Sequence, residues 1–186
     1  MISQEGSLKM DQYREKIELA VEADRKEILA LYRAQIGREY CPWNEHYPGD
    51  EEITYDLSRD ALYIMREKGR IIAAISLEKD PQVDELPCWT KELQPGGELA
   101  RVAVHPDHQN RGIAREMVRF GLNRLKELGY PSFHGIVNRL NEKALRSYAV
   151  FGFQMVGECE MYDQSFYCFE KDLRGLRSDS GMRKDK

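Results

Sequence analysis

The sequence predicts an α/β domain with a mixed, mostly antiparallel sheet flanked by helices. Three observations predict it. Segments with the two-residue period of strands interleave with segments of helical period, in the order β-α-α-β-β-β-α-β-α-β-β. The stretch from Glu98 to Ala114 reads as a strand, a turn and the first turn of a helix. The chain has 186 residues, the size of one ordinary domain, and such a chain buries roughly 70% of its unfolded surface without help from a disulfide or a metal.

In chain order, residues 1–14 are polar and form an N-terminal extension to a domain over residues 15–173. Ile17, Leu19 and Val21 alternate with Lys16, Glu18 and Glu22, the pattern of a first strand. Asp24 opens a helix over residues 24–35, with Ile28, Leu29, Leu31, Tyr32 and Ile36 at helical spacing and Gly37 as its stop. Residues 38–50 are a loop, and a short second helix covers 50–57. Residues 61–67 and 70–77 are strands joined by Lys68-Gly69. Residues 78–97 are turn-rich, with Pro81, Pro87, Pro95, Gly96 and Gly97. The central strand, 99–104, is apolar apart from Arg101 and stops before Pro106, which cannot continue it. Ile113, Met117, Val118, Phe120, Gly121, Leu125 and Leu128 form the apolar stripe of a long helix that Gly129 ends. A strand over 133–137, a helix over 141–151 stopped by Gly152, and a hairpin of 155–161 with 166–169 complete the domain. Residues 174–186 are dominated by Arg, Ser, Asp and Lys, and are expected to be a disordered tail.

Composition narrows the function. The formal net charge of -4 gives no support to a nucleic-acid binder, which carries a basic domain or patch. The four cysteines, Cys41, Cys88, Cys159 and Cys168, include no C-x-x-C pair, so neither a zinc site nor a thioredoxin-like motif is suggested. Reduced thiols in a cytoplasmic protein are the plainer reading. No apolar stretch near Met1 reads as a signal peptide. The longest strictly apolar run, 71–75, is too short for a membrane.

The informative loop is Gln109-Asn110-Arg111-Gly112-Ile113-Ala114. A glycine-bearing loop at a helix entrance leaves backbone N–H groups without intrahelical partners, converging on one spot. The helix dipole adds partial positive charge, so that spot favours phosphate oxygens, and Arg111 can add a full charge. The nucleotide-hydrolysing P-loop and the dinucleotide fingerprint G-x-G-x-x-G are both absent. The loop instead resembles the Q/R-x-x-G-x-G/A signature of the GCN5-related N-acetyltransferase (GNAT) superfamily, with Ala114 in place of the commoner glycine. A second segment agrees: Asn141, Ala144, Tyr148 and Gly152-Phe153 match Asn-x-x-Ala-x-x-x-Tyr-x-x-x-Gly-Phe, and Ala144 and Tyr148, four apart, share a helix face. The element order is that of the acyl-CoA N-acyltransferase (GNAT) fold.

The resemblance implies an acetyl-CoA-dependent N-acetyltransferase, with acetyl-CoA as co-substrate and no metal. It implies that Gln109, Asn110, Arg111, Gly112, Ile113 and Ala114 hold the pyrophosphate. The backbone of Val102, Ala103 and Val104 would receive the pantetheine arm as a strand receives a neighbour, and Asn141, Ala144 and Tyr148 would line the groove. A backbone N–H near Val102 would stabilise the developing oxyanion. An amine needs a base, and Glu98 stands eleven positions before Gln109, the spacing at which the histone-acetyltransferase branch of the family carries its glutamate base. Strict alternation puts Glu98 on the face of Val102 and Val104; a bulge would move it to the other. A solvated strand-end glutamate is the competing reading, and His105 is a rival base, with His108 on the loop surface. Tyr148 matches the family's acid for the leaving thiolate; a buried, hydrogen-bonded tyrosine is the alternative.

The resemblance implies an acceptor site between the first two helices and the last hairpin, where aromatic and acidic residues favour an amine over an acid. Trp43, Glu45, His46 and Tyr47 lie on one side, and Glu160, Tyr162 and Asp163 on the other. Trp43, Tyr47 and Tyr162 are the candidate substrate contacts. A small-molecule primary amine leads, with a protein or peptide amine, or a non-catalytic acyl-CoA-binding module, as alternatives. No nucleic acid or membrane partner is expected, and the resemblance leaves a homodimer open.

Overall fold

The computed structural model describes residues 17–176. Its strands are Ile17–Leu19 (β1), Leu62–Glu67 (β2), Arg70–Glu78 (β3), Gly96–Val104 (β4), Ser132–Asn138 (β5), Gln154–Met161 (β6) and Gln164–Asp172 (β7). Its helices are Arg25–Arg33 (α1), Asp50–Ser58 (α2), Pro81–Asp84 (α3), Ile113–Glu127 (α4) and Glu142–Val150 (α5). The strands form one sheet in the order β1-β2-β3-β4-β5-β7-β6. Neighbours are antiparallel except β4 and β5, so the sheet is mixed and mostly antiparallel, as the sequence predicts. The element order matches too, apart from α3, a single turn inside the turn-rich 78–97 segment. Its signal was local: the Asp80 side chain accepts the Gln82 N–H at 2.9 Å and Pro81 occupies the first turn.

Each face of the sheet carries a core. Leu99 and Val104 pack with Met117, Leu122 and Leu125 of α4 and with Phe133. On the other face Ala103 packs with Ile64, and with Ile28, Leu31, Tyr32 and Ile53 of α1 and α2. A smaller cluster lies under the far half of the sheet. Val83, Trp89 and Cys88 from the α3 segment meet Cys159 and Cys168 of β6 and β7 there. The expected extension, 1–14, and residues 177–186 of the expected 174–186 tail lie outside the described residues; of the tail's first three residues, Arg174 pairs with Asp172 and Leu176 packs against the α4 core.

Two irregularities distinguish β4. First, β4 pairs with β5 only at Gly96–Ser132 and Gly97–Phe133, and beyond Gly97 no further β4–β5 rung forms among the described residues. The glycines permit this close start. A Cβ on Gly96 would lie 2.1 Å from His134 Cγ, and one on Gly97 2.5 Å from Leu125 Cδ2. His134 cannot swing aside, because its ring stacks on Trp89 with centroids 4.3 Å apart. Gly96→Ala is therefore expected to lower stability by about 1–3 kcal/mol, the usual cost of overpacking, read as a lower urea midpoint. An unchanged midpoint would mean that the strands part without cost.

Second, β4 bulges. Ala100 pairs with Ser76 and Ala103 with Ala74, so two β4 residues, Arg101 and Val102, oppose the single Ile75. Arg101 takes φ +50°, a left-handed conformation rare outside glycine. The extra residue reverses the side-chain alternation. Glu98, opposite Glu78, shares the face of Ala100 and Ala103, and Val104 lies on the opposite face, opposite Ala73. The strict alternation that would have put Glu98 beside Val104 does not hold.

Candidate active site

The site lies where β4 leaves β5. Beside the opening, α4 begins at Gly112, which has φ +81°. No side chain caps this helix, and its first backbone bond runs from the Glu116 N–H to the Gly112 carbonyl, so the Ile113, Ala114 and Arg115 N–H groups precede the ladder. A Cβ on Gly112 would meet nothing within 4 Å, so the cradle is open. Asn110, at φ +60°, turns the loop towards it. The Gln109 side chain folds inward: its Nε2 donates to the Val104 carbonyl at 3.3 Å, and its Oε1 accepts from Arg38 and from Lys143, each at 3.0 Å. Arg38 and Lys143 thus join Arg111 as cations around the loop, and they come from distant sequence with no motif of their own. Arg111 Nη2 pairs with Glu67 Oε1 at 2.8 Å. Glu67 also receives His108 Nε2 at 3.1 Å, and the two donors, Arg111 foremost, hold its carboxyl well below the usual range. His108, expected on the loop surface, is half-buried in this contact. These features fit a coenzyme pyrophosphate: aligned N–H groups, room at the glycine, and three cations.

The second predicted segment is split in its roles. The Asn141 side chain caps α5, accepting the Ala144 N–H at 3.0 Å. Tyr148 lies among aromatic rings, 4.5 Å from the Phe153 centroid and 5.4 Å from that of Phe169, both edge-on. Its hydroxyl makes no hydrogen bond among the described residues. Burial raises it above the ordinary tyrosine value, and the charge of Glu98 raises it further, so it keeps its proton at neutral pH. The charge of Glu98 thus reaches Tyr148 from an element fifty residues away in the sequence.

Glu98 is 9% exposed, and its Oε2 is buried without a hydrogen-bond partner among the described residues. Burial pushes its carboxyl well above the ordinary value, and Glu78, Asp80 and Asp84 add to the effect while Arg101 opposes it. His105 is a weaker candidate for the same role. Its side chain is 40% exposed, and Nδ1 accepts the Asp107 N–H at 3.3 Å.

Below Glu98 lies a buried ionic cluster that the sequence did not announce. The bulge aims Arg101 at Asp56 of α2, with Nη2 2.8 and 3.0 Å from the two carboxylate oxygens and Nε 3.2 Å from Oδ2. Arg101 also pairs with Glu78. Arg59 reaches Asp56 at 3.0 Å and Glu78 at 3.6 Å, and Ser76 Oγ donates to Asp56 at 2.6 Å. Burial raises the Asp56 carboxyl, with Arg101 and Ser76 opposing. Burial also works against the Arg101 guanidinium, which Asp56, Tyr47 and Glu78 more than offset. The bidentate geometry is that of a charged pair, so we take both groups as ionised at neutral pH.

The candidate substrate contacts separate. Tyr47 stays 42% exposed while its hydroxyl turns inward, 3.4 Å from Arg101 Nη1. Tyr162, from the β6–β7 turn, donates its hydroxyl to Asp80 beside Glu98. Trp43 instead packs edge-on against buried Tyr32, centroids 5.5 Å apart, where it covers the α1–α2 core.

A model of the acetyltransferase (GNAT) family matches residues 28–153, which span both the loop and α5. The chain belongs to this family. It is 38% identical over 83 residues to a mycothiol acetyltransferase of Nocardiopsis dassonvillei; the match covers 40% of this chain and 25% of that relative. The chain thus spans about a quarter of the length of that curated relative. The fold superposes on an N-acetyltransferase of Staphylococcus aureus with a TM-score of 0.66 at 20% identity, covering 85% of this chain and 98% of that one. It also superposes on yncA of Salmonella typhimurium, solved with its cofactor acetyl-CoA, with a TM-score of 0.66 at 16% identity over 89% and 97% of the two chains. Among the described residues no helix is long and apolar enough to cross a membrane. Nor does any group of three His, Cys, Asp or Glu side chains there form a metal site.

Proposed function

We propose that the protein is a cytoplasmic acetyl-CoA-dependent N-acetyltransferase acting on a primary amine of a small molecule. The observation that carries this is Glu98: a buried carboxylate without a partner, with a raised proton affinity, at the mouth of the β4–β5 opening. Acetyl-CoA, when bound, supplies the acetyl group as a thioester.

The chain's own residues do the rest. The N–H groups of Ile113 and Ala114, the open backbone at Gly112 and the cations Arg111, Arg38 and Lys143 hold the pyrophosphate, with Gln109 and Asn110 shaping the loop. Among the described residues the β4 edge at Val102, Ala103 and Val104 lacks a β5 partner, so its backbone groups, apart from the Val104 carbonyl that Gln109 holds, are available to the pantetheine amides. Asn141 and Ala144 fix the start of α5 and so the position of Tyr148. Glu98 takes the proton from the incoming ammonium, and its elevated proton affinity narrows the mismatch with an amine. Tyr148 holds a proton for the departing sulfur. Tyr47 and Tyr162 face the acceptor; Trp43 supports the wall through Tyr32.

A thermal-shift titration with acetyl-CoA, followed by a thiol-release assay over an amine panel, tests the reading. A shift with thiol release on an amine class supports it; a shift with no release on any amine would make the protein a binding module. Gly112→Asp is expected to weaken acetyl-CoA binding by about tenfold or more, since it sets a carboxylate where phosphate oxygens belong and strains a positive φ. Unchanged affinity would sink the loop assignment. Tyr148→Phe is expected to lower kcat with the acetyl-CoA affinity unchanged, by about 10²-fold if proton donation limits the rate. An unaltered kcat would remove Tyr148 as the acid.

A further inference from the structure

The acceptor end of the site carries more negative charge than one amine needs. Around Glu98 stand Glu78 across on β3, Asp80 in the turn after β3, and Asp84 at the end of α3. Glu78 is matched by Arg101 and Arg59. Asp80 and Asp84 are not: among the described residues neither forms an ion pair with a lysine or arginine. His134 and Lys79 act on Asp84 only through space. His134 is held below its ordinary value by burial, and it pairs with Glu170 at 2.9 Å rather than with either acid.

Asp80 is held in place, and Asp84 ends the turn that Asp80 caps. Asp80 caps α3, accepting the Gln82 N–H at 2.9 Å, and receives the Tyr162 hydroxyl, which brings that exposed ring alongside. The segment after α3 is pinned to the sheet, with Trp89 stacked on His134 and the Thr90 N–H donating to Glu170 at 2.9 Å. A carboxylate accepts up to about four hydrogen bonds, so both acids retain acceptor sites. Glu98 adds the independent sign of a ligand: more than nine-tenths buried, it has an oxygen with no protein partner.

A monoamine satisfies Glu98 by giving up its proton and leaves Asp80 and Asp84 unmatched. An amino acid brings a carboxylate into a field that repels it. We infer that the acceptor is an aliphatic diamine or polyamine, whose reacting amine meets Glu98 and whose second ammonium is held by Asp80 and Asp84 beside the Tyr162 ring. The aromatic face and the acid pair both suit an ammonium. This inference rests on the acetyl-transfer reading above.

The test compares kcat/KM for 1,4-diaminobutane, spermidine and n-butylamine by thiol release, in the wild type and in Asp80→Asn, Asp84→Asn and their double variant. The wild type is expected to favour the diamine over the monoamine by about tenfold or more, the scale of a half-buried charge contact. The double variant is expected to lose that ratio through a higher diamine KM, with KM for acetyl-CoA unaltered. The ratio is the decisive readout, because a general loss of structure would depress both amines together. Turnover of monoamines or peptides with no preference for diamines would overturn this inference and leave the transfer reading standing, as would a preference that survives in the double variant. Thiol release with no amine of any class would overturn the transfer reading and this inference with it.

Discussion

Replacing Glu98 with glutamine is expected to lower kcat/KM for the amine by about 10²- to 10⁴-fold, the range for loss of a general base, while acetyl-CoA binding persists. Glutamine fills the same space and cannot take a proton. Because burial and the neighbouring acids raise the Glu98 carboxyl well above its ordinary value, wild-type kcat/KM should climb with pH on a limb displaced upward from the carboxylate range. That limb should be missing from the residual activity of the variant. Stability should move the other way. A carboxyl that holds its proton more tightly folded than unfolded favours folding least where the unfolded chain has already ionised. Wild-type stability therefore falls as pH rises from the unfolded value of about 4.3 through the raised folded one. Glu98→Gln should consequently be more stable than the wild type at pH 8, with the difference shrinking below pH 4. Denaturant titrations at the two pH values measure this directly. Retained activity, or a variant destabilised equally at both pH values, would remove Glu98 as the base.

Arg101→Ala is expected to cost about 3–5 kcal/mol of stability, the range for breaking a buried ion pair from one side. Asp56 is fully buried and Glu78 nearly so. Removing the guanidinium leaves two carboxylates in a low-dielectric site with only Arg59, itself 26% exposed, to answer them. Lysine should rescue little, since a point charge cannot reproduce the bidentate contact. Asp56→Asn in the alanine background should recover part of the loss by removing one orphaned charge, and that recovery separates the electrostatic account from lost packing. Arg101 also opposes the upward shift of Glu98, so its removal should carry the pH limb of any remaining activity to higher pH. A fall below about 1 kcal/mol in urea denaturation, the scale of a surface pair, would mean that the cluster is solvated in solution.

Sequence and structure divide the work unevenly. The strands, the helices and the loop were legible because their signals are local. Periodicity marks β2, β3 and α4, Gly112 marks a helix entrance, and Pro106 ends β4. The positions of Gln109 to Ala114 relative to α4 followed from that order alone, and so did the helix carrying Asn141, Ala144 and Tyr148. The short α3 also had a local signal, Asp80-Pro81, hidden in a segment crowded with other turn residues. Composition restricted the class, through a net charge of -4 and the absence of any long apolar run.

What the sequence could not carry was register and meeting. A single inserted residue at Arg101 reverses the facing of every side chain before it, because a strand's period is two, and no residue type at 101 or 102 announces a bulge. That reversal takes Glu98 away from Val104 and puts it with Glu78, Asp80 and Asp84. The Arg101–Asp56 pair joins positions 45 apart, Arg38 reaches Gln109 across 71, and Tyr162 reaches Asp80 across 82. Cys88, Cys159 and Cys168, unremarkable by spacing, share one apolar cluster. Local chemistry determined which elements form and where a phosphate would sit. The long-range packing of those elements decided which carboxylate is buried without a partner, and with it the face on which we propose that the transfer happens.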